Sequence, residues 1–203
     1  MYFAHWGREK MCKKFKGDGK MDEIKNIGTI TLETERLILR RFKIEDAENM
    51  YKNWATDPEC NKFLSWNLHK NVEETKNVIQ NWINEYETGS YNWVVELKEN
   101  KEIIGNISAV HFRKKDLNCE IGYCYGSKYW GKGYGTEALK RVIEFFLNEC
   151  NLHLVQARHI SGNPASGRVM EKAGMKKEAV LKDRRMNKYT KELNDLVVYS
   201  VMK

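Results

Sequence analysis

The chain has 203 residues, of which 41% are hydrophobic and 31% charged, with two prolines and a formal net charge of +7. That length and balance fit one compact domain with a real core and exclude a disordered or fibrous protein. No run approaches the roughly 18 apolar residues that a membrane-spanning helix needs, so no membrane partner is expected.

Residues 1–27 hold few periodic apolar positions and read as a flexible tail, with Met21 an alternative start and residues 28–203 one domain. Charges stand where a signal peptide needs an apolar run, so secretion is not expected. The five cysteines (Cys12, Cys60, Cys119, Cys124, Cys150) are odd in number and form no CxxC pair. They imply reduced thiols, a cytoplasmic location and no metal site. The positive charge is not clustered with aromatic or helical readout elements, so nucleic acid is not an expected partner. Solvated lysines account for most of the excess, and an anionic cofactor can draw on the rest.

Leu32, Leu37, Ile38 and Leu39 mark a first strand region. A helix over Ile44–Thr56 follows, with Ala47, Met50, Tyr51 and Trp54 at helical spacing, and Asp57-Pro58 is expected to stop it. A second helix spans Asn71–Thr88, N-capped by Asn71 and ended by Gly89. Three strands come next: Tyr91–Leu97, Ile103–Phe112 and Cys119–Tyr125. Beyond a glycine-rich segment lie a helix over Thr136–Glu149, a strand over His153–His159 and a helix over Ala165–Ala173. Strands at Lys176–Leu181 and Leu193–Met202 close the chain. The order predicts an α/β (α+β) domain with a central sheet flanked by helices.

The segment Tyr129–Thr136, YWGKGYGT, lies between a strand and a helix. Glycines admit close approach of a ligand, and a helix N-terminus offers free N–H groups to an anion. A phosphate site and a plain glycine cap both satisfy those facts. The Walker loop fails, because Gly131-Lys132 is followed by Gly133. The dinucleotide fingerprint fails too, because the sixth position from Gly131 is Thr136.

The longer text IGYCYGSKYWGKGYGTEAL resembles the acetyl-coenzyme A motif of the GCN5-related N-acetyltransferase (GNAT) family, and most closely its Rim-type ribosomal-protein subgroup. Glu33–Phe42, the Asn163–Ser166 and Glu171–Met175 segments, and Asp195–Tyr199 resemble further stretches of that subgroup in the same order. The resemblance implies the GNAT fold, with a mixed, mostly antiparallel sheet. It implies that Trp130, Gly131, Lys132, Gly133, Tyr134, Gly135 and Thr136 hold the pyrophosphate of acetyl-CoA. It further implies that a strand splaying at a bulge lets Tyr123, Cys124 and Tyr125 bind the pantetheine arm, with Asn163 on a pantetheine amide.

For Ser166 the resemblance implies protonation of the leaving thiolate. The alternative is a hydroxyl that caps a helix start. For Asn163, cap and ligand readings hold together. Cys124 has no base beside it in sequence, so direct attack by the amine is expected. Glu120 is the first candidate for the general base, since a carboxylate in a partly dry cleft shifts toward neutrality. His111 and Glu96 lie on neighbouring strands, and Tyr123 and Tyr189 are further polar candidates. Trp54 and Trp82 read as core, and Trp66 as free to touch a substrate. The function expected is acetyl transfer to an amine acceptor, either a protein N-terminus or a small molecule such as a polyamine or antibiotic, by a monomer or homodimer. A non-catalytic acyl-CoA sensor is the alternative.

Overall fold

The computed structural model describes residues 24–203. The start at Met21, Cys12 and most of the expected tail lie outside the described residues. Of the tail's last residues, Ile24 is buried and the Lys25 N–H donates to the Cys150 carbonyl at 3.1 Å.

The structure is an eight-stranded sheet covered on both faces. Strands β1 (Leu32–Glu33), β2 (Leu37–Arg40), β3 (Asn92–Leu97), β4 (Ile103–Arg113), β5 (Asn118–Tyr125), β6 (Leu154–Ile160), β7 (Lys176–Met186) and β8 (Leu193–Met202) run in the order β1-β2-β3-β4-β5-β6-β8-β7. Every neighbouring pair is antiparallel except β5 and β6, which are parallel. The helix α4 (Tyr134–Glu144) connects those two, and a parallel pair requires such a crossover. The expected mixed, mostly antiparallel sheet is therefore present.

Strand β3 explains why two layers of helix are needed. Its sequence, NWVVEL, is buried at every position. Trp93, Val95 and Leu97 point to one face, where Leu139, Val142, Phe145 and Phe146 of α4 and the π-helical turn Phe145–Glu149 cover them. Val94 points to the other, against Met50, Trp54 and Ile79. The period of two in the strand thus sends a continuous apolar run into two cores. The second core comes from α1 (Ala47–Met50), its π-helical continuation Tyr51–Ala55, and α3 (Val72–Glu85). Asn71 caps α3 as expected, its side chain accepting from the Glu74 N–H, and Gly89 ends it with φ of 82°.

The first helical segment ends at Ala55, just before Asp57-Pro58 as expected, and Pro58 does more than stop it. It opens a further short helix, α2 (Pro58–Asn61), with Asp57 as its cap accepting from the Glu59 N–H at 2.9 Å. Proline is tolerated in the first helical turn, where its missing N–H is not needed. The Asp57 carboxylate also accepts from the Ser127 N–H at 2.6 Å, which ties α2 to the segment leading into the glycine loop.

One buried network fixes the helical layer to the sheet edge. Arg40 grips Asp46 with two bonds of 2.8 Å and Glu96 with one of 2.7 Å. Glu96, a sequence candidate for the base, is thereby a structural carboxylate and lines neither of the large cavities described below.

The gap that makes the site lies between β5 and β6. Their pairing runs from Asn118 opposite Leu154 to Ile121 opposite Ala157 and then ceases. Strand β5 continues beside β4 as far as Tyr125 opposite Gly105. The splay is therefore from β6, whereas the bulge falls on β4, where the register shifts between Ala109 and His111. A bulge bends and twists its strand, and here it does so across from the point at which β5 leaves β6.

Candidate active site

Two cavities meet at that gap. The first has a volume of about 700 Å³ and runs along the glycine loop, the start of α4 and the start of α5 (Pro164–Lys172). The second, of about 570 Å³, lies among α1, α3 and the exposed faces of β4, β5 and β6. Phe63, Leu64, Tyr123, Cys124, Asn163 and Ser166 line both.

The glycine loop turns a helix start toward the first cavity. Gly131 and Gly133 have φ of 75° and 85°, a region that costs an L side chain roughly 1–2 kcal/mol. Those two turns aim the start of α4 at the first cavity. The first bond of that helix runs from the Glu137 N–H to the Gly133 carbonyl, so the N–H groups of Tyr134, Gly135 and Thr136 precede any intrahelical partner. Trp130, Gly131, Gly133, Tyr134, Gly135 and Thr136 all line the cavity, and Lys132 is the loop residue that does not. Its carbonyl instead accepts from Arg36 at 3.1 Å. Arg36 also holds Glu137 at 2.6 Å, and Thr34 donates to the same carboxylate. Burial pushes the Glu137 pKa up, but the bonds from Thr34 and Arg36 outweigh it and hold the group below the usual carboxylate range. The loop is thus strapped to the β1–β2 turn before any ligand arrives.

Strand β5 offers its free edge to the same cavity. The Gly126 N–H donates to the Ile104 carbonyl, so Gly126, Cys124 and Gly122 direct their backbone groups to β4. Tyr123 and Tyr125 direct theirs to the side that β6 has vacated. The Trp130 indole N–H confirms this direction by donating to the Tyr125 carbonyl at 2.8 Å.

At the junction the Tyr123 hydroxyl and Ser166 Oγ lie 2.8 Å apart. Burial pushes the Tyr123 pKa up to about 12, against a smaller opposing effect of the Ser166 bond, so the phenol keeps its proton at neutral pH. Ser166 does not cap its helix. Asn163 does, its Oδ1 accepting from the Ser166 N–H at 3.3 Å. The Ser166 hydroxyl therefore faces Tyr123 and the cavities.

Cys124 is buried, with its sulfur 3.6 Å from that of Cys60. The bond to Cys60 and burial both push its pKa well up, so it stays a thiol. We expect Cys124→Ala to retain turnover within about threefold, since an uncharged thiol is no nucleophile. Abolished turnover with intact folding, or a trapped acetyl-cysteine in mass spectra, would contradict this.

The second cavity holds the remaining candidates. Glu120 is buried on its wall, with one oxygen 2.7 Å from Arg158 and the other 2.9 Å from Gln156. Sequence reasoning found Glu120 but neither partner, because both come from β6 and only the parallel register sets Glu120 beside Gln156. His111 lines the same wall. Trp66 lines it, and so do Trp54 and Trp82, which also have the core packing that the sequence assigned to them. Trp82 is half-buried, with its ring 4.9 Å from that of Phe42 in the second core. Trp93 is wholly buried in the core. Tyr189 is exposed and donates to Asn61 at 2.7 Å instead of lining the cavity. His69 was not foreseen: its Nδ1 lies 2.8 Å from Thr75 Oγ1. Burial pushes its pKa down against the pull of Glu74, so it is neutral at pH 7.

Among the described residues no group of His, Cys, Asp and Glu is arranged to hold a metal, and no helix is long and apolar enough to cross a membrane.

Comparison with known proteins agrees with this geometry. The acetyltransferase (GNAT) domain family matches residues 36–176. An uncharacterized N-acetyltransferase, p20, of Bacillus licheniformis is 30% identical over 175 residues, covering 85% of this chain and 96% of the relative. The [ribosomal protein uS5]-alanine N-acetyltransferase of Escherichia coli is 30% identical over 169 residues, covering 78% of this chain and 84% of that enzyme. A GNAT-family acetyltransferase of Bacillus anthracis superposes with a TM-score of 0.75 at 26% identity, over 85% of this chain and 98% of that one. With the splayed strand, the glycine loop and the family match in register, the chain belongs to the GNAT family and is an acyltransferase.

Proposed function

We propose that this protein transfers an acetyl group from acetyl-CoA to a primary amine, such as a protein N-terminus, by direct attack. The observation that carries the reading is the meeting of two cavities at Tyr123, Cys124 and Ser166, one walled by an anion loop and the other by a cleft open to an acceptor.

The first cavity fits the cofactor. The glycine turns and the leading N–H groups of α4 hold the pyrophosphate, and the free edge of β5 at Tyr123 and Tyr125 holds the amide arm. Asn163 Nδ2, in the wall of the same cavity, would be free to donate to that arm while its Oδ1 caps α5. Acetyl-CoA, when bound, supplies an activated acetyl thioester. The backbone N–H groups facing the gap give its carbonyl oxygen a fixed positive environment. Ser166 Oγ, oriented by the Tyr123 hydroxyl 2.8 Å away, would give its proton to the departing thiolate sulfur and regain one from solvent.

The amine must lose a proton. Glu120 serves that role through its remaining lone pairs, because each oxygen accepts one protein bond and a carboxylate offers more acceptor sites than two. His69, neutral and in the same cleft, is the second group suited to it. The test is acetyl-CoA consumption with peptide N-termini, polyamines and aminoglycosides, followed by mass spectrometry of the product. A mass gain of one acetyl group on an amine is the expected result. CoA binding without turnover on any acceptor would instead favour a sensor.

A further inference from the structure

The acceptor cleft has an unusual charge balance for an enzyme that takes amines. A cleft for polycations needs carboxylates to spare. Here Glu120 is the lone carboxylate among the lining residues, and its Oε1 is held at 2.7 Å by Arg158. The second guanidinium on the wall, Arg185, has no carboxylate partner among the described residues. Its position is set by the irregularity in β7, where pairing with β8 breaks after Leu181 and resumes at Arg185 opposite Asn194.

A second cation stands at the same end. Lys188, on the β7–β8 connection, donates to the Asn61 side chain and the Trp66 carbonyl, both uncharged acceptors. Burial and the nearby Arg185 charge push its pKa down, which places the two cations in one field. The three histidines on the wall, His69, His111 and His159, add no negative charge. Trp66, Trp82, Met50 and Val78 supply an apolar part of the wall, and the uncharged polar side chains of Ser65, Asn106, Ser108 and Asn163 line other parts of it.

The geometry points to an acceptor that carries an anionic group, a carboxylate or phosphate, close to its amine and an apolar body between the tryptophans, with Arg185 as the residue that selects it. This rests on the acetyl-transfer reading above. A planar guanidinium without a partner is suited to bidentate capture of a carboxylate or phosphate. The same charge repels a second ammonium, which disfavours spermidine and aminoglycosides.

The full-length protein is to be assayed with acetyl-CoA and a matched set of amines: phenylalanine, phenylalaninamide, phenylalanyl-aspartate amide, phosphoethanolamine and spermidine. The arms separate a free amino-acid carboxylate, an acidic second residue of a peptide N-terminus, and a phosphate. At least one anionic member is expected to exceed its neutral or cationic counterpart by about tenfold or more in kcat/KM, as a charge-assisted pair allows. Arg185→Ala should erase that preference through KM with kcat nearly kept, and Arg185→Glu should invert it. Spermidine or the neutral amide used best, or a preference unmoved by R185E, overturns the inference while leaving acetyl transfer standing. No turnover of any amine, with thermal protection by CoA retained, overturns the acetyl-transfer reading and this inference with it.

Discussion

Gly133→Glu is expected to weaken coenzyme A binding severely while leaving a folded protein. Gly133 sits at φ of 85° as the residue before α4, where any side chain is strained. That strain costs about 1–2 kcal/mol. A carboxylate there also faces the N–H groups and positive end of the helix dipole that the pyrophosphate must use. A Cβ at this position would lie 3.3 Å from Arg36 Nη2. The new charge therefore competes with Glu137 for the guanidinium that straps the loop in place. Together these effects should weaken CoA by roughly 100-fold or more. Isothermal titration and thermal protection by CoA would measure it. Gly133→Ala carries the strain without the charge and should lose about tenfold. Wild-type affinity in the Glu variant would remove the pyrophosphate from this loop.

Ser166→Ala should lower kcat by about 100-fold or more, the usual scale for loss of a positioned proton donor, with CoA affinity changed little. The split is diagnostic because the capping function belongs to Asn163, so removing the hydroxyl leaves the start of α5 intact. Tyr123→Phe should follow in the same direction with a smaller loss, since it removes the partner 2.8 Å from Ser166 Oγ but not the donor itself. The pair acts as a unit, and the double variant should fall well short of the sum of the two single losses. Steady-state rates set beside CoA dissociation constants test this. Equal loss in turnover and CoA affinity would make Ser166 a structural residue.

Much of the fold was legible because its signals are local. The stripe Leu139, Val142, Ile143 and Phe146 repeats at 3.6 residues, and the Asn71 cap and Gly89 stop lie within a turn of the helix they bound. The glycine loop was legible for the same reason: backbone freedom and a following helix are both properties of adjacent residues. The stop at Asp57-Pro58 is present, since the first helical segment ends at Ala55; what the sequence did not show is that the same proline opens the next helix, which depends on the residue that caps it. Here the Asp57 carboxylate caps the second helix.

The acceptor side was not legible in that way. By itself the sequence determined the order of elements, the glycine turn that opens a helix, and the resemblance to a family. These follow from periodicity, capping and glycine spacing, all of which act over a few residues. Tertiary structure alone decided that β5 parts from β6 after Ile121, that Glu120 is held by Arg158 and Gln156, and that Glu96 belongs to Arg40. It also brought Arg185 to the cleft wall and Lys188 onto Asn61, more than a hundred residues away in the chain. The reason is physical. A charge takes its character from its nearest partners, and in a sheet those partners are set by strand order and register across the fold.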